Sequence, residues 1–368
     1  MTPRLPRRLL SAAVAAGLVL AACGDDGDDA NSTDAPAGTD VPVELSESIT
    51  LVTYDSFPES DTSLNDALAE FGEETGITVE ILVAGDTGTM LSKAELTAGN
   101  PEGDVMWGVD NTFLSRAVDG GVFEPYASPA ATDLASELLA LAPGDEATPV
   151  DFGDVCVNYD IAAFEGLAVP ATLEDLAEPE YADLLVVQNP ATSSPGLAFL
   201  LATIDEYGED GWQDYWTRLT ENGVTVVDSW SDAYYGEFTW AGGGTRPMVV
   251  SYGSSPPAEV IFADPPRDDS PTGVIESTCF RQVEFAGVLA GTEHPAEARM
   301  LVDFLASDTF QSELALNLFV YPANTTTALP QEFVDFAVVP DEPRSVDPAD
   351  ITANRSAWID EWTTIVLG

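Results

Sequence analysis

Ile49-Thr-Leu-Val-Thr-Tyr54, Ile77-Thr-Val-Glu-Ile-Leu-Val83 and Val105-Met-Trp-Gly-Val109 are three β-rich runs whose spacing decides the fold class. The intervals between them carry apolar residues at helical spacing, from Leu64 to Thr75, ending at Gly76, and from Met90 to Ala98. A third helix is expected over Thr112 to Val118, closed by Gly120-Gly121. A β-α-β-α-β alternation predicts a mostly parallel sheet flanked by helices, so the chain reads as α/β.

Downstream the pattern recurs. Leu184-Leu-Val-Val-Gln188 predicts a strand, followed by helices from about Gly196 to Tyr207 and near Trp212 to Asn222. Val224-Thr-Val-Val227 and Pro247-Met-Val-Val-Ser-Tyr252 predict further strands, as does Phe280 to Leu289 beyond an acidic, Pro-rich loop at 264–272. Helices near Ala296 to Ala306, Asp308 to Leu316 and Arg355 to Val366 close the chain. A body running from about Ser48 to Gly368 is long enough for two domains.

Ligands of such sheets bind beyond the carboxyl ends of the strands. Those ends carry Tyr54, Asp55, Ser56 and Phe57, then the turn Gly85-Asp-Thr-Gly-Thr89 with Thr87 and Gly88, then Asp110 and Asn111. In the second half, Asn189-Pro-Ala-Thr-Ser-Ser-Pro-Gly196 runs into a helix that Ser193 or Ser194 would cap, with Pro195 in its first turn. Two such helix starts, facing each other, can hold an anion such as phosphate through backbone N–H groups. Taken singly, each is more often just a cap.

At the N-terminus, Arg4, Arg7 and Arg8 precede an apolar stretch from Leu9 to Leu20, flanked as in a signal peptide and shorter than the roughly 20 residues that span a bilayer. Leu20-Ala-Ala-Cys23 resembles a lipobox, in which Cys23 carries the lipid; ordinary cleavage beside an incidental cysteine is the alternative, and Arg7-Arg8 also fits a twin-arginine signal. Gly24 to about Pro42 is built from Asp, Gly, Ala, Ser and Thr, which buries too little surface to offset its entropy and reads as a leash. The expected location is the cell envelope, with a lipid as the sole membrane attachment.

With 64 acidic against 12 basic residues the net charge is −52, a field that repels nucleic acid. The acids are spread along the chain, as on a solvated surface suited to a saline habitat; steering of cationic solutes is the other reading. Cys156 and Cys279 lie in strand-like contexts and, in an exported chain, read as a disulfide or as two buried thiols. The single histidine, His294, precedes a predicted helix and reads as a surface or capping residue. The sequence has no His/Cys cluster of zinc spacing, no nucleophile–base pair and no Gly-x-Ser-x-Gly elbow, so neither a metal site nor a catalytic site is expected.

Tyr54-Asp-Ser-Phe57, Gly108-Val-Asp-Asn111, Thr192-Ser-Ser-Pro-Gly196, Trp230-Ser-Asp-Ala-Tyr234, Ser251-Tyr-Gly-Ser-Ser-Pro256 and Tyr321-Pro-Ala-Asn324 occur in one order along the body. In that order and spacing, and in the ending Ala357-Trp-Ile-Asp-Glu-Trp362, the chain resembles the periplasmic thiamine-binding proteins of ABC transporters. The resemblance spans about residues 50 to 368. It implies a type II periplasmic-binding-protein fold, two-lobed, with the ligand in the interlobe cleft and each lobe a mostly parallel sheet flanked by helices. It further implies a monomeric, non-enzymatic receptor without cofactors that delivers thiamine or a thiamine phosphate to permease subunits. By the same resemblance Tyr54, Trp230 and Tyr252 match aromatic ligand contacts and Ser193 a phosphate contact. Gly88 falls where backbone holds phosphate, and Phe319 where a stacking tryptophan stands. Ser56, Ser194, Tyr234 and Ser254 complete the candidate set, with Asp55 or Asp110 as acceptors for the pyrimidine amino group. Trp212, Trp216, Trp358 and Trp362 read instead as core.

The chain departs from the family pattern in three places: Phe319 replaces a tryptophan, Pro257 and Ala258 stand where a second tyrosine is expected, and Glu59, Ser60 and Asp61 where a tryptophan is. A ferric receptor, drawing on Tyr234-Tyr235, and a polyamine or other organic-cation receptor remain as alternatives. The expected organisation is a signal peptide over 1–22, an acidic linker over 23–47, one lobe from 48–145 and 263–368 with the C-terminal helices, and a second lobe over 146–262. Short β-crossovers near 140–155 and 255–280 would form the hinge.

Overall fold

The computed structural model describes residues 45–368; the signal segment, Cys23 and the leash as far as residue 44 lie outside the described residues. β1 (Ser48–Thr53) and β2 (Thr78–Val83) pair in parallel, and β3 (Val105–Asp110) pairs in parallel on the other side of β1. β4 (Phe123–Glu124) is a short edge piece, and β5 (Thr148–Asp160) is the first long strand. β6 (Leu185–Gln188), β7 (Thr225–Val227) and β8 (Met248–Tyr252) form the second parallel array. β9 (Thr272–Leu289) returns through the centre, and β10 (Tyr321–Pro322) pairs with β5. The strand order is β2-β1-β3-β9-β5-β8-β6-β7, two parallel flanks joined by an antiparallel centre.

Local chemistry accounts for the element ends. The helix Ser63–Thr75 starts at a capping box of Thr62 and Asn65 and stops at Gly76, whose φ of 80° is the left-handed conformation that glycine adopts cheaply. The helix Thr87–Leu96 begins before the expected Met90 because the Asp86 side chain caps it, accepting from the Thr87 amide at 2.7 Å. The closing helix, expected from Arg355, starts at Pro348 behind an Asp347 cap, which lengthens it at its N-terminal end. The expected helix over Asp308 to Leu316 breaks into Asp308–Gln311 and Leu314–Asn317.

The crossovers differ most from expectation. In place of short linkers, β5 has 13 residues and β9 has 18, and they pair from Thr148–Ala286 to Asp160–Thr272. Their sequences read weakly because Pro149, Asp151, Gly153 and Asp154 interrupt β5; pairing with each other, rather than intrinsic propensity, keeps them extended. The register shifts between Pro149 and Asp151, a bulge of the kind that lets proline enter a strand, and again around Cys156.

One core gathers Ile49, Leu51, Leu64, Leu68, Phe71 and Trp107 with Leu301, Leu305 and Phe310. The other holds Leu197 to Ala202 with Trp212, Tyr215, Trp216 and Leu219. Trp212, Trp216, Trp358 and Trp362 are all buried, the Trp216 and Trp362 rings meeting edge to face at 5.4 Å. The closing helix Pro348–Val366 therefore packs on the second half, while its Arg355 donates to the Thr112 carbonyl and Ser115 Oγ of the first. Cys156 of β5 and Cys279 of β9 are joined, with sulfurs 1.99 Å apart and a sequence separation of 123. His294 holds the N-cap position of Pro295–Leu305 without a side-chain cap bond.

A bridge closing so long a loop restricts the unfolded chain strongly. Replacing both cysteines with Ala is expected to lower the urea midpoint, by a free energy of roughly 2–5 kcal/mol. An unchanged midpoint would mean that the bridge contributes nothing to stability.

Candidate functional site

A cleft of about 320 Å³ opens between the halves along the β5–β9 centre. Eight of the sequence-derived candidates line it: Tyr54, Ser56, Thr87, Ser194, Trp230, Tyr234, Tyr252 and Phe319. The first half contributes Tyr54, whose ring lies against Gly108. A Cβ at Gly108 would sit 2.3 Å from that ring, and the residue's φ of 115° is one that glycine alone takes readily. The second half contributes Trp230, stacked on Tyr234 with centroids 4.8 Å apart and planes at 16°. A π-helical segment, Asp232–Glu237, sets Tyr234 and Tyr235 on that wall.

Trp230 is held at both ends of its residue. Its amide donates to Asp86 Oδ2 at 3.0 Å, and its indole N–H to Ser251 Oγ at 3.0 Å. Phe319 takes a φ of 56°, a strained choice for a bulky residue, which brings its ring edge-on to Phe262 at 5.8 Å beside the cleft. Tyr252 donates to Gln282 Oε1 at 3.1 Å, and Gln282 Nε2 donates to Ser194 Oγ at 3.0 Å. Ser194 in turn meets Thr87 Oγ1 at 3.3 Å, and Thr87 donates to the Gly108 carbonyl, so one polar chain ties the two halves across the floor.

The two helix starts do meet, and the first donors of the Thr87–Leu96 helix are engaged with the protein. The Gly88 amide donates to the Thr192 carbonyl at 2.8 Å, and the Thr87 amide to Asp86. A Cβ on Gly88 would lie 2.5 Å from the Ala191 carbonyl oxygen, so the glycine permits close approach of the halves. Ser193, at the cap position, lies beside Asp86 and helps to keep that carboxylate charged.

Other candidates stand away from the cleft lining. Asp110 is buried beneath it, accepting from Thr112 Oγ1 at 2.8 Å and the Phe113 amide at 3.2 Å, which makes it a helix-start acceptor and takes it from the pyrimidine role. Asp55 lies by Ser229 and Ser231. Asn111 is stitched to β9 by the Val283 amide and the Arg281 carbonyl, and Ser254 is fully buried.

Several lining residues escaped sequence reading: Asp86, Ser255, Glu259, Phe262, Glu284 and Asn317, while Tyr235 had entered only with the ferric alternative. Asp86 and Ser255 sit inside motifs already quoted. Glu284 carried a usable signal, an acid in the middle of the buried strand Phe280 to Leu289. Among the described residues, no Lys, Arg or His lines the cleft. Burial raises Asp86 to about 6, aided by Asp55 and opposed by Ser193 and the amides of Trp230 and Thr87. Burial likewise pushes Asp110 and Asp151 each to about 7, and lifts Glu284 well above the carboxylate range.

The family profile described as bacterial extracellular solute-binding protein matches residues 103–346. The chain belongs to that family. Among its relatives is the thiamine-binding periplasmic protein of Escherichia coli (strain K12), 28% identical over 328 residues, covering 88% of this chain and 95% of that protein. A solved periplasmic thiamin binding protein superposes with a TM-score of 0.75 at 27% identity, covering 87% of this chain and 96% of that one. A ferric binding protein from Campylobacter jejuni shares the fold, with a TM-score of 0.67, 15% identity and coverage of 88% and 99%. This solute-binding protein thus has the two-lobed type II architecture with its cleft between the lobes, and its role is binding rather than catalysis. No described helix is long and apolar enough to cross a membrane.

Gly88→Ala is expected to wedge the lobes apart at the Ala191–Thr192 contact, increasing the radius of gyration in small-angle X-ray scattering. A variant that scatters like the wild type would show that the contact yields without cost.

Proposed function

We propose that the cleft binds thiamine and that the protein, exported and tethered through Cys23, hands it as a monomer to the permease subunits of an ABC importer. The observation that carries this reading is an aromatic wall of Trp230, Tyr234, Tyr252, Tyr54 and Phe319 over an acidic floor that, among the described residues, has no basic side chain. Thiamine's thiazolium is a permanent cation on an aromatic ring. Each aromatic face that stacks on it contributes about 0.5–2 kcal/mol. The names of the relatives at 27–28% identity agree with this ligand.

The amides of Thr87 and Gly88 are spent on Asp86 and Thr192, which favours the unphosphorylated form over its phosphates. Closure follows from ligand contacts on both lobes, since only the closed form makes them all; β5 and β9 are the strands that bend.

Ferric binding through Tyr234 and Tyr235 fits less well. Tyr234 donates to Glu259 at 2.7 Å, and burial lifts both phenols, opposing the phenolates that iron needs. A polyamine needs several free acceptors, whereas Asp86 and Glu259 are already engaged by protein donors.

Calorimetric titration of the full chain with thiamine and its mono- and diphosphate is expected to show sub-micromolar binding, roughly −8 kcal/mol or better, with thiamine tightest. Trp230→Ala should weaken it by more than about tenfold through loss of a stacking face. Absence of heat with all three would remove thiamine as the ligand, and an unchanged Trp230→Ala affinity would remove the stacking role.

A further inference from the structure

Three carboxylates line the cleft, and their partners differ. Asp86 accepts the Thr87 amide on Oδ1 at 2.7 Å and the Trp230 amide on Oδ2 at 3.0 Å. Glu259 accepts the Tyr234 hydroxyl on Oε1 at 2.7 Å and the Trp240 indole on Oε2 at 2.6 Å. Both groups are therefore fixed. Glu284 receives one long bond, from Gln282 Nε2 to Oε1 at 3.4 Å, while its Oε2 has no partner among the described residues. Its residue is only 7% exposed, so water compensates poorly for the missing donor.

The neighbours of Glu284 sharpen this. Its register partners are Asp110 on β3 and Asp151 on β5, which places three carboxyls side by side across the sheet. Like charges directly opposite one another are unfavourable. Asp110 accepts from Thr112 and Phe113 on Oδ1 while its Oδ2 has no partner among the described residues, and Asp151 accepts the Trp107 indole at 3.0 Å. Tyr54 and Tyr252 also face Glu284, and Asp86 adds further negative charge. Of the basic side chains, Arg355 acts on Asp110, while Arg281 is taken up by Asp154 at 2.7 Å. Glu284 itself has no cationic partner among the described residues.

We propose that the Glu284 carboxylate is the counter-charge that selects a permanently cationic solute, and that the solute displaces a proton from the Asp110–Glu284–Asp151 row when it binds. This rests on the thiamine reading for the identity of the cation. In the empty cleft, burial and mutual repulsion keep protons on this row near neutral pH. A fixed cation stabilises the ionised form, so a proton leaves to solvent as it binds. The sign follows: affinity rises with pH while the empty row is protonated, by up to about tenfold per pH unit for one proton released, and levels off above that titration.

The test is calorimetry of the full chain in paired buffers of different ionisation enthalpy, at mildly acidic and mildly alkaline pH. The probes are thiamine and its deaza analogue, in which carbon replaces the thiazolium nitrogen and the pyrimidine is kept. Thiamine is expected to release close to one proton and bind more tightly at the higher pH, while the neutral analogue binds more weakly and releases none. Glu284→Gln, checked for folding by its melting curve, should abolish the release and bring the two affinities within a few-fold. Tight thiamine binding with no proton release in the wild type would overturn the role of Glu284 and leave the thiamine reading standing. If thiamine does not bind, the same paired titration is run with spermidine. Proton release that Glu284→Gln removes would uphold the counter-charge without thiamine, and its absence would overturn it.

Discussion

The pairing of β5 with β9 is the constraint on which the rest of the molecule depends. β3 attaches its parallel array to one edge of that pair, and β8 attaches the other array to the opposite edge. Each half thus hangs from a strand that continues into the other half. The cleft runs along this centre, and its floor is built from the crossing strands themselves, with Glu284 lining it and Gln282 beneath. Contacts made there lie at the junction of the two halves, so the geometry of the floor and the relative placement of the walls are coupled.

Charge gives this arrangement its chemical character. An acidic surface is inexpensive where water solvates it, and a net charge of −52 is tolerable on that basis. At the cleft floor the same residue types are buried, and there each must find donors, hold a proton or meet a cation. Asp86 and Glu259 find donors on the protein, and in doing so they position Trp230 and the Tyr234 wall. The acid row under the cleft is left incompletely answered. A site that stores unfavourable charge in this way gains from a ligand that relieves it, and aromatic faces supply the rest of the complementarity without adding charge.

Much of the fold was legible because its signals are local. The helix from Ser63 to Thr75 announces itself through Thr62, Asn65 and Gly76, and the strand runs at 49–54, 77–83 and 184–188 are continuous and apolar. The crossing strands were read short, since residues 148–154 and 272–279 mix proline, glycine and acids that say little until a partner strand is present. The aromatic wall was legible in the same way as the helices, from motif words around Tyr54, Trp230 and Tyr252. Asp110 and Asn111 stood at the expected strand end, yet their side chains turn to a helix start and to β9 instead of the cleft.

By itself the sequence determined the α/β alternation, the caps that end its helices, and the aromatic residues that reach the cleft, because period, capping and strand ends depend on neighbours in the chain. The tertiary structure alone decided which carboxylates are satisfied and which is left facing the ligand. Asp86, Glu259 and Glu284 are alike as letters. They differ only in the donors brought to them from elements as many as 144 residues away, as Trp230 is brought to Asp86. Burial and partner count are properties of the assembled sheet, and they set the charge that a ligand meets.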